Sequence, residues 1–186
     1  MTWLTRSVES GALPVVAVLL FVTSAAGAGA QTVSESAGKA AVLYNVAKFT
    51  DWPVASLPAG SAMEFCVLDG AVADALQDIV VGRSINEHAL RVTRVLNDEP
   101  PRTCAVLYIG NRATKQTGEL LASERNMSVL SIGDSPRFIE MGGMVRVFVD
   151  AGKLKFAVNI EAARRAKLHL SSQLLMLATV VKDGVE

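Results

Sequence analysis

Residues 104–111 read Cys104-Ala105-Val106-Leu107-Tyr108-Ile109-Gly110-Asn111, six apolar positions in a row closed by a glycine turn. A run with no polar alternation fits a strand covered on both faces, the condition of a parallel sheet held between two helical layers. A helix-like segment follows over 113–122, then a short strand over 128–132. Upstream, strand 64–68 ends at Asp69-Gly70, and Val72, Ala75, Leu76 and Ile79 recur at helical spacing over 72–80. Residues 90–96 alternate Leu90 and Val92 with Arg91 and Thr93, the pattern of a half-exposed strand. Downstream, 144–149 and 154–159 form a hairpin about Asp150-Ala151-Gly152-Lys153. The expected fold is α/β: a single three-layer α/β sandwich with a largely parallel sheet of about six strands, the antiparallel C-terminal hairpin forming one edge.

Helices close both ends of this pattern. Lys39 to Thr50 places Leu43, Val46 and Ala47 on one face and stops at Trp52-Pro53, because proline disfavours helical geometry in the residue before it. Trp52 and Pro53 are expected to seal this helix against the sheet. Asn159 is placed to cap a helix over 160–166, and Ser171 or Ser172 a second one through Val181. Leu174, Leu175, Leu177, Ala178 and Val181 give that last helix an apolar stripe.

The first thirty residues stand apart. Arg6 precedes an apolar run from Ala12 to Val22, and small residues end at Ala28-Gly29-Ala30. That order suits a secretory leader cleaved near Ala30. Pro14 interrupts the run, which is shorter than the ~20 residues that span a bilayer. The reading is a signal peptide over 1–30, a flexible N-terminus over 31–38 and one domain over 39–182, exported and not membrane-spanning. With 18 basic and 18 acidic side chains the formal charge is zero, so a nucleic-acid partner is not expected.

Export changes the meaning of Cys66 and Cys104, each at the start of a strand. In an oxidising compartment two cysteines in one small domain are expected to be bridged, the alternative being two buried free thiols.

Catalysis is poorly supplied. His88 and His169 are isolated, Gly133-Asp134-Ser135-Pro136-Arg137 lacks the closing glycine of a nucleophile elbow, and Gly110-Asn111-Arg112 opens no phosphate loop. No enzyme, metal or cofactor is called for. Three strands nonetheless end alike, at Asp69-Gly70, Gly110-Asn111 and Gly133-Asp134-Ser135. If parallel, they set glycine turns along the edge where open α/β sheets bind ligands. One reading makes Gly70, Gly110, Asn111, Gly133, Asp134 and Ser135 a small-ligand pocket; the other is ordinary turn chemistry.

A wider pattern runs from Lys39 to Val181. It comprises Lys39-Ala40-Ala41-Val42-Leu43-Tyr44-Asn45-Val46-Ala47-Lys48-Phe49-Thr50-Asp51-Trp52-Pro53, the strand 106–110, Gly142-Gly143-Met144, 156–163, and Ala166-Lys167-Leu168-His169-Leu170-Ser171-Ser172-Gln173-Leu174-Leu175. In this order and spacing the sequence resembles the YfiR-like family of exported bacterial proteins. The resemblance implies a periplasmic repressor that engages the sensor domain of an inner-membrane diguanylate cyclase, lowering cyclic-di-GMP and biofilm formation. It also ties the redox state of family cysteines to stability and repression. Cys66 and Cys104 resemble one family pair; a second pair, which flanks the first hairpin strand in some members, is absent between Gly142 and Val149. Many members carry Glu where this chain has Ala157.

The hairpin and the helix after it offer the best partner surface, since a free strand edge and an amphipathic helix both present unused binding groups. Arg146, Ala157, Ala163 and Arg164 are the expected contacts. A homodimer stays open.

Overall fold

The computed structural model describes residues 28–96, 99–110 and 114–181. Residues 1–27 of the leader read over 1–30, and Asn111 with its neighbours 112 and 113, lie outside the described residues; the last three leader residues begin α1. In chain order the elements are α1 (Ala28–Lys48), β1 (Thr50–Asp51), β2 (Met63–Val67), α2 (Gly70–Val80), β3 (Ser84–Ile85), β4 (His88–Arg94) and β5 (Cys104–Ile109). There follow α3 (Thr114–Glu124), β6 (Leu130–Gly133), β7 (Val145–Asp150), β8 (Lys153–Asn159), α4 (Ile160–Arg165), β9 (His169–Leu170), α5 (Ser172–Leu177) and β10 (Thr179–Val181).

Eight strands form one sheet in the order β10-β8-β7-β6-β5-β2-β4-β3. The central ladders β4–β2–β5–β6–β7 are parallel, β3 and β8 pair antiparallel, and β10 lies parallel to β8. The α/β architecture therefore agrees with the sequence, with two strands more than expected. One is the two-residue β3. The other is β10, where a helix through Val181 was expected: α5 stops at Leu177, and Ala178 turns extended (φ −94°, ψ 153°). Thr179-Val180-Val181 is a β-branched run, and its ladder with Ala157, Val158 and Asn159 overrides the helical stripe. The hairpin is thus not the sheet's edge, because β10 covers it. Residues 31–38, expected as a frayed terminus, are helical as part of α1. Lys39 Nζ stands 2.8 Å from Glu35 Oε1 one turn back, a spacing that supports a helix there.

Two apolar clusters sandwich the sheet. Leu43, Val46 and Ala47 of α1 and Val72 and Leu76 of α2 pack on Phe65, Val67, Val106 and Tyr108. On the opposite face Leu120 and Leu121 of α3 pack with Cys66, Leu107, Ile109 and Phe138. The odd–even alternation of β2 and β5 between these clusters is what an all-apolar central strand requires.

A β-bulge interrupts that alternation once. Glu64 pairs with Cys104 but Phe65 with Val106, leaving Ala105 without a register partner on β2. Ala105 and Val106 both enter the α1–α2 cluster, and Cys104 falls on the same face as Cys66. The two form a disulfide, with Cα atoms 5.8 Å apart.

Candidate functional site

At the carboxyl ends of β2, β5 and β6 the three glycine turns do share one edge, as read from the sequence. Asp69 caps α2, its Oδ1 accepting from Val72 N at 3.0 Å, and Gly70 opens the helix. A Cβ on Gly110 would stand 3.2 Å from the Asp69 Cβ. A Cβ on Gly133 would lie 2.3 Å from the Phe138 ring and 2.9 Å from Ile109 O. The backbone space beside these two glycines is therefore occupied by the protein's own side chains. Ser135 is buried and its carbonyl accepts from Phe138 N, closing the turn that delivers the ring.

The polar groups at this edge face one another. Asp134 Oδ2 accepts from Lys39 Nζ at 2.7 Å and from the Tyr108 hydroxyl at 3.0 Å. Burial alone would lower the Lys39 ammonium, but the hydrogen bonds and charges of Asp134 and Glu35 outweigh it and hold it above its ordinary value. Burial first, then the charge and hydrogen bond of Asp134, push the Tyr108 phenol far above its ordinary range. A folded-state pKa above the unfolded one gives stability that is complete below the unfolded value and lost as pH rises past it. Above about pH 10 the unfolded chain releases the Tyr108 proton that the folded chain keeps, at up to about 1.4 kcal/mol per pH unit. Urea midpoints should therefore fall steeply between pH 9 and pH 11, and Tyr108→Phe should flatten that fall. An equal slope in the variant would reject the assignment to Tyr108.

The hairpin presents a different surface. Ala151 and Gly152 both have positive φ (48° and 74°), the geometry of a two-residue hairpin turn that follows strand twist. Val145 and Val147 of β7 enter the α1–α2 cluster, with Val158 and the half-buried Phe156 of β8. Arg146, Phe148, Lys155 and Ala157 project to the opposite face by alternation, joined by Thr179 and Val181 of β10. No residue of β7, β8 or β10 belongs to the cluster under α3. Arg146 stands directly across from Ala157, and its guanidinium lies 5.2 Å from the Phe148 ring centroid. The Lys155 ammonium pairs with Asp150.

Next along the chain, Asn159 ends β8 and begins α4. Its Oδ1 accepts from Ala162 N at 3.0 Å, the cap expected from the sequence. This capping fixes which side of α4 faces out. Arg164 is exposed, its side chain 72% accessible and 3.4 Å from Glu161. Ala163 is 2% exposed within the α1–α2 cluster, so it cannot be a surface contact; the period of α4 turns it inward beside Ala162. The structure thus sets Arg146 across from Ala157, which is itself buried and offers little surface for contact, and leaves Arg164 outward. Phe148 and Lys155, which complete the face with Arg146, were missed by the sequence reading, although strict alternation from Val145 and Val147 points to Phe148. Met176 and Leu177 of α5 and Val180 of β10 are also exposed.

Elsewhere, His88 Nδ1–H donates to Ser61 O at 2.8 Å, and His169 pairs with Asp51 in the small β1–β9 ladder. Among the described residues no cluster of three His, Cys, Asp or Glu could hold a metal ion, and no helix is long and apolar enough to cross a membrane.

Comparison with known proteins sets this geometry in a family. The YfiR/HmsC-like family profile matches residues 36–179. No curated protein matches the sequence. Among solved structures, a conserved domain protein from Vibrio cholerae O1 biovar eltor is similar at 12% identity with a TM-score of 0.48, over 80% of this chain and 60% of that one. The chain thus aligns with about three-fifths of that protein's length. The profile match runs from within α1 into β10 and takes in the disulfide, the hairpin and α4, and the chain belongs to the YfiR/HmsC-like family.

Proposed function

We propose that this protein is a periplasmic regulator that binds the sensor domain of an inner-membrane diguanylate cyclase and represses it, lowering cyclic-di-GMP and biofilm formation. The family match over 36–179 carries this reading, since the family implies a periplasmic regulator of such cyclases. The chain acts after export and removal of its leader near Ala30. Its contacts are the sheet face bearing Arg146, Phe148 and Lys155, with Ala157 beneath them, and the outward side of α4 at Arg164. Positive groups on this surface favour an acidic patch on the partner.

Repression requires tighter binding to the cyclase's inactive state, because equal affinity for both states shifts nothing. Reversing a roughly hundredfold bias toward activity takes about 5.5 kcal/mol of differential binding, within the reach of one protein interface.

Deleting the gene should raise cyclic-di-GMP, and a copy with its leader should restore the lower level while a leaderless copy should not. Arg164→Glu should weaken cyclase binding about tenfold with the melting temperature unchanged. Ala163→Asp should instead lose the fold, since it buries a carboxylate without a partner. Unchanged cyclic-di-GMP on deletion, with no membrane cyclase recovered by cross-linking, would overturn the repressor reading.

A further inference from the structure

At the opposite edge of the sheet, the amino ends of β6 and β7, lies a cavity of about 390 Å³ between the end of α3, the 139–144 segment and α4. That volume sits in the lower part of the range of small-molecule sites. Its floor includes the buried apolar side chains Val129, Ile139 and Met144. Its rim carries Arg125 and Glu124 at the end of α3, Glu140, and Arg165 of α4.

Most polar groups on this wall are already committed. Glu140 Oε2 accepts from Arg137 Nε at 2.7 Å. The amides of Met141 and Gly142 donate to Arg137 O and Ile139 O. Two donors are left over. Arg125 has no carboxylate partner among the described residues. Ser131, 3% exposed, accepts from Met144 N at 3.1 Å through its Oγ, and its hydroxyl hydrogen has no acceptor among the described residues. A buried hydroxyl with an unspent donor costs stability unless something accepts from it. Arg165 adds a second positive charge to the rim. Burial pushes the Glu124 carboxyl up from its ordinary range, against the Ser123 hydroxyl and the charge of Arg102.

We infer that this cavity binds a small organic carboxylate with a short apolar body. The two carboxylate oxygens take the donors of Arg125 and Ser131, and the apolar part lies on Val129, Ile139 and Met144. The guanidinium and the hydroxyl serve the two carboxylate oxygens, and a phosphate would leave the apolar floor uncovered. The site stands apart from the glycine turns and does not depend on the cyclase reading.

Hexanoate is the probe, titrated into the full mature chain and followed through backbone amide chemical shifts. The amides of Ser131, Gly142 and Met144 should shift and saturate with a Kd of about 1 mM or tighter. Arg125→Gln, at an exposed position, should keep the melting temperature and weaken hexanoate about tenfold. Hexylamine should leave these amides in place, and inorganic phosphate should move them only at much higher concentration. Absence of saturable shifts, equal binding of hexylamine or phosphate, or equal hexanoate affinity in Arg125→Gln would each overturn the proposal.

Discussion

Phe138→Ala is expected to remove about 3–5 kcal/mol of stability, a large share of the 5–15 kcal/mol that holds an ordinary domain folded. The ring is fully buried beneath the α3 layer, and two glycines approach it from opposite sides. A Cβ on Gly133 would lie 2.3 Å from Cε2, and one on Gly143 would lie 2.2 Å from Cδ1. Each would also stand under 3 Å from a backbone oxygen, Ile109 O or Phe138 O, so relaxation of the ring alone cannot relieve it. Gly133→Ala and Gly143→Ala should therefore cost about 1–3 kcal/mol or more by overpacking. Urea unfolding measures all three. Combining Gly133→Ala with Phe138→Leu should cost less than the sum of the singles by about 1 kcal/mol; strict additivity would show that the ring is not what the new methyl meets.

Loss of the Cys66–Cys104 bond should be the second large effect. The two residues are 38 apart in sequence, and closing a loop of that size stabilises by roughly 3–4 kcal/mol in the chain-entropy account. For a domain of this length the paired change Cys66→Ala, Cys104→Ala should lower the melting temperature by about 10 °C. Because the bonded strands β2 and β5 are also joined by a parallel ladder, the variant should keep its far-ultraviolet circular dichroism. If reduction left the melting temperature unmoved, the bridge would not be a stabilising element. If the repressor reading holds, reduction should weaken repression through lost folded protein, so repression should track the fraction folded.

Much of the fold was legible because patterning and tertiary context agree in the middle of the chain. The all-apolar CAVLYI strand, the α2 repeat, the hairpin turn and the Asn159 cap each state locally what the sheet demands. Where they disagree, the reading failed. Leu174, Leu175, Leu177, Ala178 and Val181 satisfy a helical period, yet the last three β-branched or hydroxylated positions gain more from a ladder on β8 than from another helical turn. Strands of two residues, β1, β3 and β9, are too short for any period to register. The partner surface was half legible: alternation places Arg146 on the outward face, but Ala163 could be assigned inward only once the direction of α4 was known. Gly133 illustrates the harder case. A glycine at a strand end signals that something comes close to the backbone, and nothing in its neighbours says whether that is a ligand or, as here, an aromatic ring five residues on.

The bulge at Ala105 makes the centre of the sheet elastic in length. Interior strands ordinarily fix their residue count, since one residue more or less turns every following side chain to the wrong layer. Here Val106 already pairs with Phe65 and Cys104 with Glu64, so Ala105 is surplus to the ladder. Deleting it would leave both pairings in register and Cys104 on its present face, whereas adding a residue elsewhere in β5 would not. Related chains can therefore differ by one in the spacing of these cysteines and still close the same bond, and cysteine spacing alone is a poor guide to whether a relative carries it.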